Sequence, residues 1–574
     1  MALEKTRAAL RRPVLALLAV TLGFALLATG LGLVLGTPGG HSLKFNLAWH
    51  EAFSALFWQG QPYPRYLPDL WYGLGGLDLF FYGPLPFWLS ALLAPLCAGC
   101  TASTQLAMAG AVLWTASIPA FWVFARGFLA PLPALSGALV YAMLPYHLAI
   151  DWVVRQAIGE FAAFVFVPLV FAGLHAIMQA RPGRWLFAAG LAGLIYSHLP
   201  SFLLVAHAVI LIAVLWAVLP PKPLARILPA ARDCLWLGAA GVLLAAPYWV
   251  PTIWLMGDVS TAALYTEALS PAAWLWFDGR AAPDPGLSLI LGICLGGTLG
   301  AVAMAGVFAR GAHDWLIWIV APVLASAALM TGPALPLWEN WVIGKVQFPW
   351  RLMLLTDLAG ALAAGMLATQ VLSAAPRWHR GLALVGIAAL FVGLAASGPR
   401  LMTTLTRGLA AQDAPVEMLG APEYLPPAIF AQVAADLGAR DLAIWQAPIV
   451  IEEIARAAVP LGIDTVTAMP RGHAITLDGG AEVILPIPYW HRFRAEDASG
   501  TQLQLSAAEP YGMTAIAVPD PAPGQTITLT LPRLAAEWVG LALGLAGLAG
   551  LVMFLVSQRR AQPRPTPPFQ EAPR

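Results

Sequence analysis

HSLKFNLAWHEAFSALFWQGQPYPRYLPDLWYGLGGLDLFFYGP, residues 41–84, separates the first long apolar run of this chain from the many that follow. Runs of ~20 apolar residues are what a ~30 Å hydrocarbon layer demands, so a chain that repeats them is a polytopic membrane protein. An insert dense in Trp, Tyr, Pro and carboxylates is poor material for a pore. It suits a site built at the membrane surface.

Working outward, composition agrees. Of 574 residues 59% are hydrophobic and 11% charged, against roughly 25% charged in soluble domains. The formal net charge of +1 and the absence of a basic stripe point away from nucleic acid. The 23 Trp residues suit membrane interfaces, where an indole is half apolar and half wet. Cys234 and Cys294 fall in apolar runs. Cys97 and Cys100 form a single CxxC without the second ligand pair of a structural zinc site, and a local disulfide suits them better.

Charge sets the topology. Lys5, Arg7, Arg11 and Arg12 precede the first apolar run, which predicts a cytoplasmic N-terminus and an outer 41–84 insert. The short, proline-bearing stretch 85–98 is read as a juxtamembrane helix on the outer face. That parity makes Arg126, Arg181, Arg184, Lys222, Arg226, Arg232, Arg310, Arg377, Arg380 and the tail Arg559, Arg560 and Arg564 all cytoplasmic. Twelve spans result: 13–36, 104–125, 131–149, 160–178, 184–199, 201–219, 235–255, 286–308, 314–331, 352–372, 381–397 and 536–556. Both termini are then cytoplasmic, and residues 557–574, rich in Pro, Gln and Arg, read as a disordered tail.

The outer side collects the insert, loops near 151–160, 197–200, 256–285 and 332–351, and a long segment 398–535. Within that segment the stretches 482–487, 502–505, 514–518 and 526–531 alternate in polarity between turn residues. They predict a small β-sandwich-like extracytoplasmic domain with strands at 482–534.

The candidate site residues lie in these loops. Glu51, Asp69 and Asp78 are the carboxylates of the insert, set among aromatics that include Tyr63 and Tyr82. A fixed carboxylate there can act as general base or hold a divalent cation, the one candidate cofactor. Arg155 and Glu160, at i and i+5, are placed to pair or to bind substrate. His198 ends a span beside Pro200, where capping is the plainer role. Arg351, after Trp350, is either a snorkelling interface arginine or a phosphate contact. Arg65 is either a second phosphate contact or a partner for Asp69, with the pairing favoured. Asp357 lies deeper in its span. No P-loop or dinucleotide fingerprint stands in a usable context.

The run YPRYLPDLWYGLGGLDLFFYGPLPFWL (63–89) resembles the insert of a family of bacterial multi-span proteins akin to the YfhO-like proteins. They are often labelled 6-pyruvoyl-tetrahydropterin synthase-related. In order, RQAIGEFAAFVFVPLVF (155–171), YSHLPSFLL (196–204), PYWVPTIW (247–254), QFPWRLMLL (347–355), EYLP (423–426) and ILPIPYW (484–490) fit the same pattern. The resemblance implies a GT-C-like transmembrane domain over 1–397, including the first outer loop 37–103, followed by the outer domain 398–535 and a last span 536–556. It implies a glycosyltransferase of the bacterial inner membrane, using a polyprenyl-phosphate-linked sugar donor and an envelope glycan or lipid acceptor at the outer face. It also implies an acidic catalytic residue early in the first outer loop. Here the insert opens His41-Ser42-Leu43-Lys44-Phe45-Asn46 with no carboxylate before Glu51, so Glu51, Asp69 or Asp78 takes that role or the activity is lost. A non-catalytic translocation factor or assembly scaffold of the same fold is the alternative.

Overall fold

The computed structural model describes residues 2–561 apart from 266, 310, 441–445, 459 and 510. The expected Arg310 loop position and the tail from 562 onward lie outside the described residues. Ten of the described helices are long and apolar enough to cross a membrane, from Arg12–Leu35 to Ala535–Arg559. All twelve expected spans have a helix in place, although that of 235–255 runs Leu224–Leu244, taking in Arg226 and Arg232, with Ala246–Trp254 a separate short helix. Two of them, Leu186–Ser197 and His313–Leu329, are short. At 1.5 Å per residue they reach only about 18 and 25 Å.

The expected span 381–397 differs most. Helix continues to Ala411, in a 35-residue unit from Arg377 interrupted near Leu390 and Phe391. Polar residues after Ser397 conceal it. Thr403, Thr404 and Thr406 satisfy their hydroxyls on the carbonyls four residues back, and Arg400 grips Asp284 through two bonds of 2.7 and 2.6 Å. The non-helical part of the segment expected from 398 therefore starts after Ala411. The stretch after the insert forms a nine-residue helix, Leu85–Leu93, far too short to span, and Cys97 and Cys100 are disulfide-linked.

Loops assigned to one side by the charge argument do meet at one end of the bundle. His41 and Ser42 donate backbone N–H to Val154 and Arg155. Gln347 bonds the Leu264 carbonyl, and Arg492 bonds Asp258. At the other end Arg184 joins Asp233 and Gln558.

The outer segment carries seven antiparallel strands: β1 (Ile463–Met469), β2 (Gly472–Leu477), β3 (Val483–Pro488), β4 (Arg494–Asp497), β5 (Gln502–Ala508), β6 (Met513–Ala517) and β7 (Thr526–Thr530). Their order is β1-β2-β7-β4-β5-β6-β3. Leu461, just before β1, bridges Ile484 in β3, so one sheet curls nearly closed. All four expected stretches are strands. Sequence reading started the sheet at 482, so it missed β1 and β2, and it named no stretch for β4. Strand β1 is largely exposed, and its turn uses Arg471 at φ 63° where a glycine would normally announce a hairpin. Arg471 is held by the Leu531 and Pro532 carbonyls and by Glu537, which offsets the strain.

Candidate functional site

The span from Pro131 widens into a π-helical stretch, Tyr146–Val154, and then breaks. Gln156 adopts φ 51°, unusual for a side chain-bearing residue. Its carbonyl accepts from Asn46 of the insert at 2.7 Å, and its side chain reaches Thr37. The next helix starts at Ile158. This break turns Arg155 and Glu160 toward each other, although i, i+5 positions on one straight helix would diverge.

Four charges result in one place. Arg155 Nη1 donates to Asp151 Oδ1 at 2.7 Å and to Glu160 Oε2 at 2.9 Å. Arg351 Nε donates to the same Glu160 Oε2 at 3.0 Å, and its Nη1 donates to the Val346 carbonyl. Tyr146 donates to Glu160 Oε1 at 2.5 Å. Asp151 and Glu160 are fully buried, and the arginines nearly so. Two acids and two arginines cancel in charge, the condition under which a buried network persists.

Arg351 is aimed as Arg155 is. Gln347 at φ 75° turns the chain before it, as Gln156 turns the chain after Arg155. Phe348 and Trp350 stack at 4.5 Å beside the pair, with Trp274 edge-on to Trp350 at 4.0 Å. Trp350 Nε1 and Asp151 Oδ2 are buried without a hydrogen-bond partner among the described residues. His198 caps the helix Leu199–Val218 through Ser201 and lies within electrostatic reach of Arg351, Glu160 and Arg155. Tyr82 closes in over Gly159, where an added Cβ would sit 3.3 Å from its hydroxyl. Asp357 Oδ2 accepts from the backbone N–H of His147 at 3.2 Å.

Thus Arg155, Glu160, His198, Trp350, Arg351 and Tyr82 lie around one cluster. The insert carboxylates do not join them. Among the described residues none of Glu51, Asp69 and Asp78 bonds to Arg155 or Arg351. Glu51 and Asp69 are exposed. Asp78 is fully buried, and its Oδ1 accepts from Trp49 Nε1 at 3.0 Å and from Ala421 N–H at 2.7 Å. It clamps the 416–424 loop to the insert, a role the reading of an exposed loop carboxylate did not foresee. Burial pushes its carboxyl up to about 6.

Arg65 does not pair with Asp69. It meets Glu537 at 3.2 Å and the Pro247 carbonyl at 2.7 Å, with Tyr63 under its guanidinium at 3.9 Å. Arg65 and Tyr63 therefore fasten the insert to the last helix rather than facing Arg351. Among the described residues no three His, Cys, Asp or Glu side chains converge as a metal site. In the cluster, Asp151 Oδ1 and Glu160 Oε2 accept from arginines.

Sequence reading missed Asp151, Tyr146, Gln156 and Gln347 as members of the cluster. A signal existed for Asp151: it stands four residues before Arg155 in DWVVR, the spacing of a helical ion pair.

No protein-family model and no curated protein matches this chain. Among solved structures it is similar to the arabinofuranosyltransferase AftD from Mycobacteria. A mutant form (R1389S, class 2) aligns with a TM-score of 0.42 at 19% identity, covering 74% of this chain and 30% of that one. A second AftD structure aligns at 0.41 and 18%, covering 74% and 28%. The chain thus spans under a third of that protein's length.

Proposed function

We propose that this chain is a membrane glycosyltransferase of GT-C type, moving a sugar from a lipid-phosphate donor to an envelope glycan or lipid. The observation that carries this reading is the convergence of Arg155 and Arg351 on one carboxylate oxygen, beside the stacked Phe348 and Trp350. Two guanidinium groups on one acceptor form the geometry a phosphate oxygen would also satisfy, and aromatic faces suit a sugar ring.

In this reading Glu160 holds the arginines until the donor phosphate replaces it on Arg351. The acceptor hydroxyl forms a bond to the sugar's anomeric carbon as the bond from that carbon to the phosphate oxygen breaks. The electron pair leaves on the phosphate, where Arg351 stabilises it, and the hydroxyl proton passes to a carboxylate. Asp151, whose Oδ2 has no hydrogen-bond partner among the described residues, is the first candidate for that proton. Asp69, exposed on the insert, is the second.

A non-catalytic scaffold is favoured by one observation, the structural use of Asp78. Transfer of radiolabelled sugar from a polyprenyl-phosphate donor, in vesicles carrying the full chain, tests both. Transfer that is lost in Arg351→Gln supports the enzyme, and its absence with wild-type protein across donor sugars supports the scaffold.

A further inference from the structure

At the end of the bundle opposite the charged cluster, a cavity of ≈ 740 Å³ opens between the 127–130 turn and the ends of three helical segments. Phe128, Trp315 and Trp318 supply its aromatic wall, and His175, Gln179 and Gln370 part of its polar lining. Arg181 and Asp314 stand at its rim, both exposed, and neither has an ion-pair partner among the described residues. The His175 ring packs between Phe128 at 4.5 Å and Trp318 at 5.5 Å. Its side chain forms no hydrogen bond to another described residue. Gly127 leaves room for it, because an added Cβ would sit 2.9 Å from His175 Nδ1.

A second observation concerns the helix on which Trp315 and Trp318 lie. His313–Leu329 is too short to cross a ~30 Å hydrocarbon core by itself. Its N-terminal part is π-helical over Leu316–Val320, a form that opens the helix and is frequent at functional sites. The cavity lies at this end, so the missing length and the open volume coincide. Mismatch of this kind is relieved by bringing polar lipid groups inward.

We propose that this cavity is a binding site for the headgroup of a zwitterionic phospholipid. The phosphate lies toward Arg181 and His175, and the ammonium toward Asp314 and the indole faces of Trp315 and Trp318. Opposite formal charges at one rim match a headgroup that carries both. An anionic lipid would leave Asp314 opposed by a like charge, and a bare isoprenoid chain would leave Gln179 and Gln370 facing hydrocarbon. The bound lipid would fill the short helix's end and tie it to its neighbours, at the end away from the proposed chemistry. This inference does not depend on the transferase reading.

Native mass spectrometry of the full chain in detergent tests it, with palmitoyl-oleoyl phosphatidylethanolamine and the matching phosphatidylglycerol as probes. One phosphatidylethanolamine is expected to stay bound, preferred by at least about tenfold, or ~1.4 kcal/mol. Arg181→Gln and Asp314→Asn each lower its retention by a similar factor, while Arg226→Gln, at an exposed site on the helix Leu224–Leu244, leaves it unchanged. Equal retention of the two lipids, or undiminished retention when Arg181→Gln and Asp314→Asn are combined, overturns the proposal.

Discussion

Arg351 and Glu160, 191 residues apart in the chain, meet at 3.0 Å in a buried bond. This bond ties the 332–351 loop to the start of the helix Ile158–Met178, with Arg155 completing the same oxygen's coordination. Removing one partner leaves a buried charge short of its counter-ion. Arg351→Ala is therefore expected to destabilise the chain by about 3 kcal/mol. Arg351→Lys recovers only part, because one ammonium cannot serve both Glu160 and the Val346 carbonyl as the guanidinium does. Thermal unfolding in detergent ranks the variants. An unchanged midpoint for Arg351→Ala would show the network to be energetically idle.

Topology follows from where the loops meet. Gln59 and Gln504 are exposed at the end that gathers the insert and the sheet, and Arg226 is exposed in the first turn of the helix Leu224–Leu244, at the end assigned to the opposite side. With cysteine placed singly at these positions, a membrane-impermeant maleimide should label the first two in intact cells and the third only after permeabilisation. Cys97 and Cys100 are bonded and Cys294 is buried, and the free, half-buried Cys234 is replaced by Ser in every variant to remove background. Labelling of position 226 from outside would reverse the orientation.

The buried carboxyls of the insert clamp give a pH dependence with a definite sign. Burial pushes Asp78 up to about 6, and burial together with the Asp78 charge pushes Glu423 up to about 7. Both folded values exceed the ordinary 3.8 and 4.5. The folded chain then holds more protons than the unfolded one between about pH 4 and 7, and stability falls as pH rises through that window. Wild-type protein should unfold at a higher temperature at pH 5 than at pH 8. Asp78→Asn keeps an Oδ1 acceptor for Trp49 and Ala421 and should narrow the difference. A difference of the same size in Asp78→Asn would remove Asp78 as its source.

Much of this architecture was legible in the residues, for reasons that also explain the failures. Apolar runs betray spans because lipid tolerates little else, and parity of the basic loops sorted the rest. Arg155, Glu160, His198 and Arg351 stood out as charges at span ends. The helix through Ala411 was hidden because threonine hydroxyls bond back to their own helix and make a helical stretch read as polar. Asp78 was misplaced because a carboxylate in a loop looks solvated until Trp49 and the Ala421 N–H, 343 residues away, are seen to cover it. Arg65 found Glu537 rather than Asp69 for the same reason. Such long-range pairings have no local signature.

The chemical assignment rests on which carboxylate takes the proton. Asp151 lies inside the cluster with Oδ1 on Arg155 and Oδ2 without a partner among the described residues. Asp69 is exposed, and partial desolvation raises its carboxyl above the usual range. Glu51 points outward from the helix Leu43–Trp58. A general base contributes about 10²–10⁴-fold, so Asp151→Asn should lower transfer by at least about 10². Donor binding should survive, because Arg155 and Arg351 remain. Asp69→Asn and Glu51→Gln, at exposed sites, should stay within about threefold and keep the fold, since surface substitutions usually shift stability by no more than about 0.5 kcal/mol. The informative measurement is single-turnover sugar transfer alongside donor binding, because a lost base slows the step without weakening the complex. If Asp69→Asn alone abolishes transfer, the base is on the insert and Asp151 only orients Arg155. If every carboxylate variant matches wild type, the proton leaves without a protein base and Asp151 is structural.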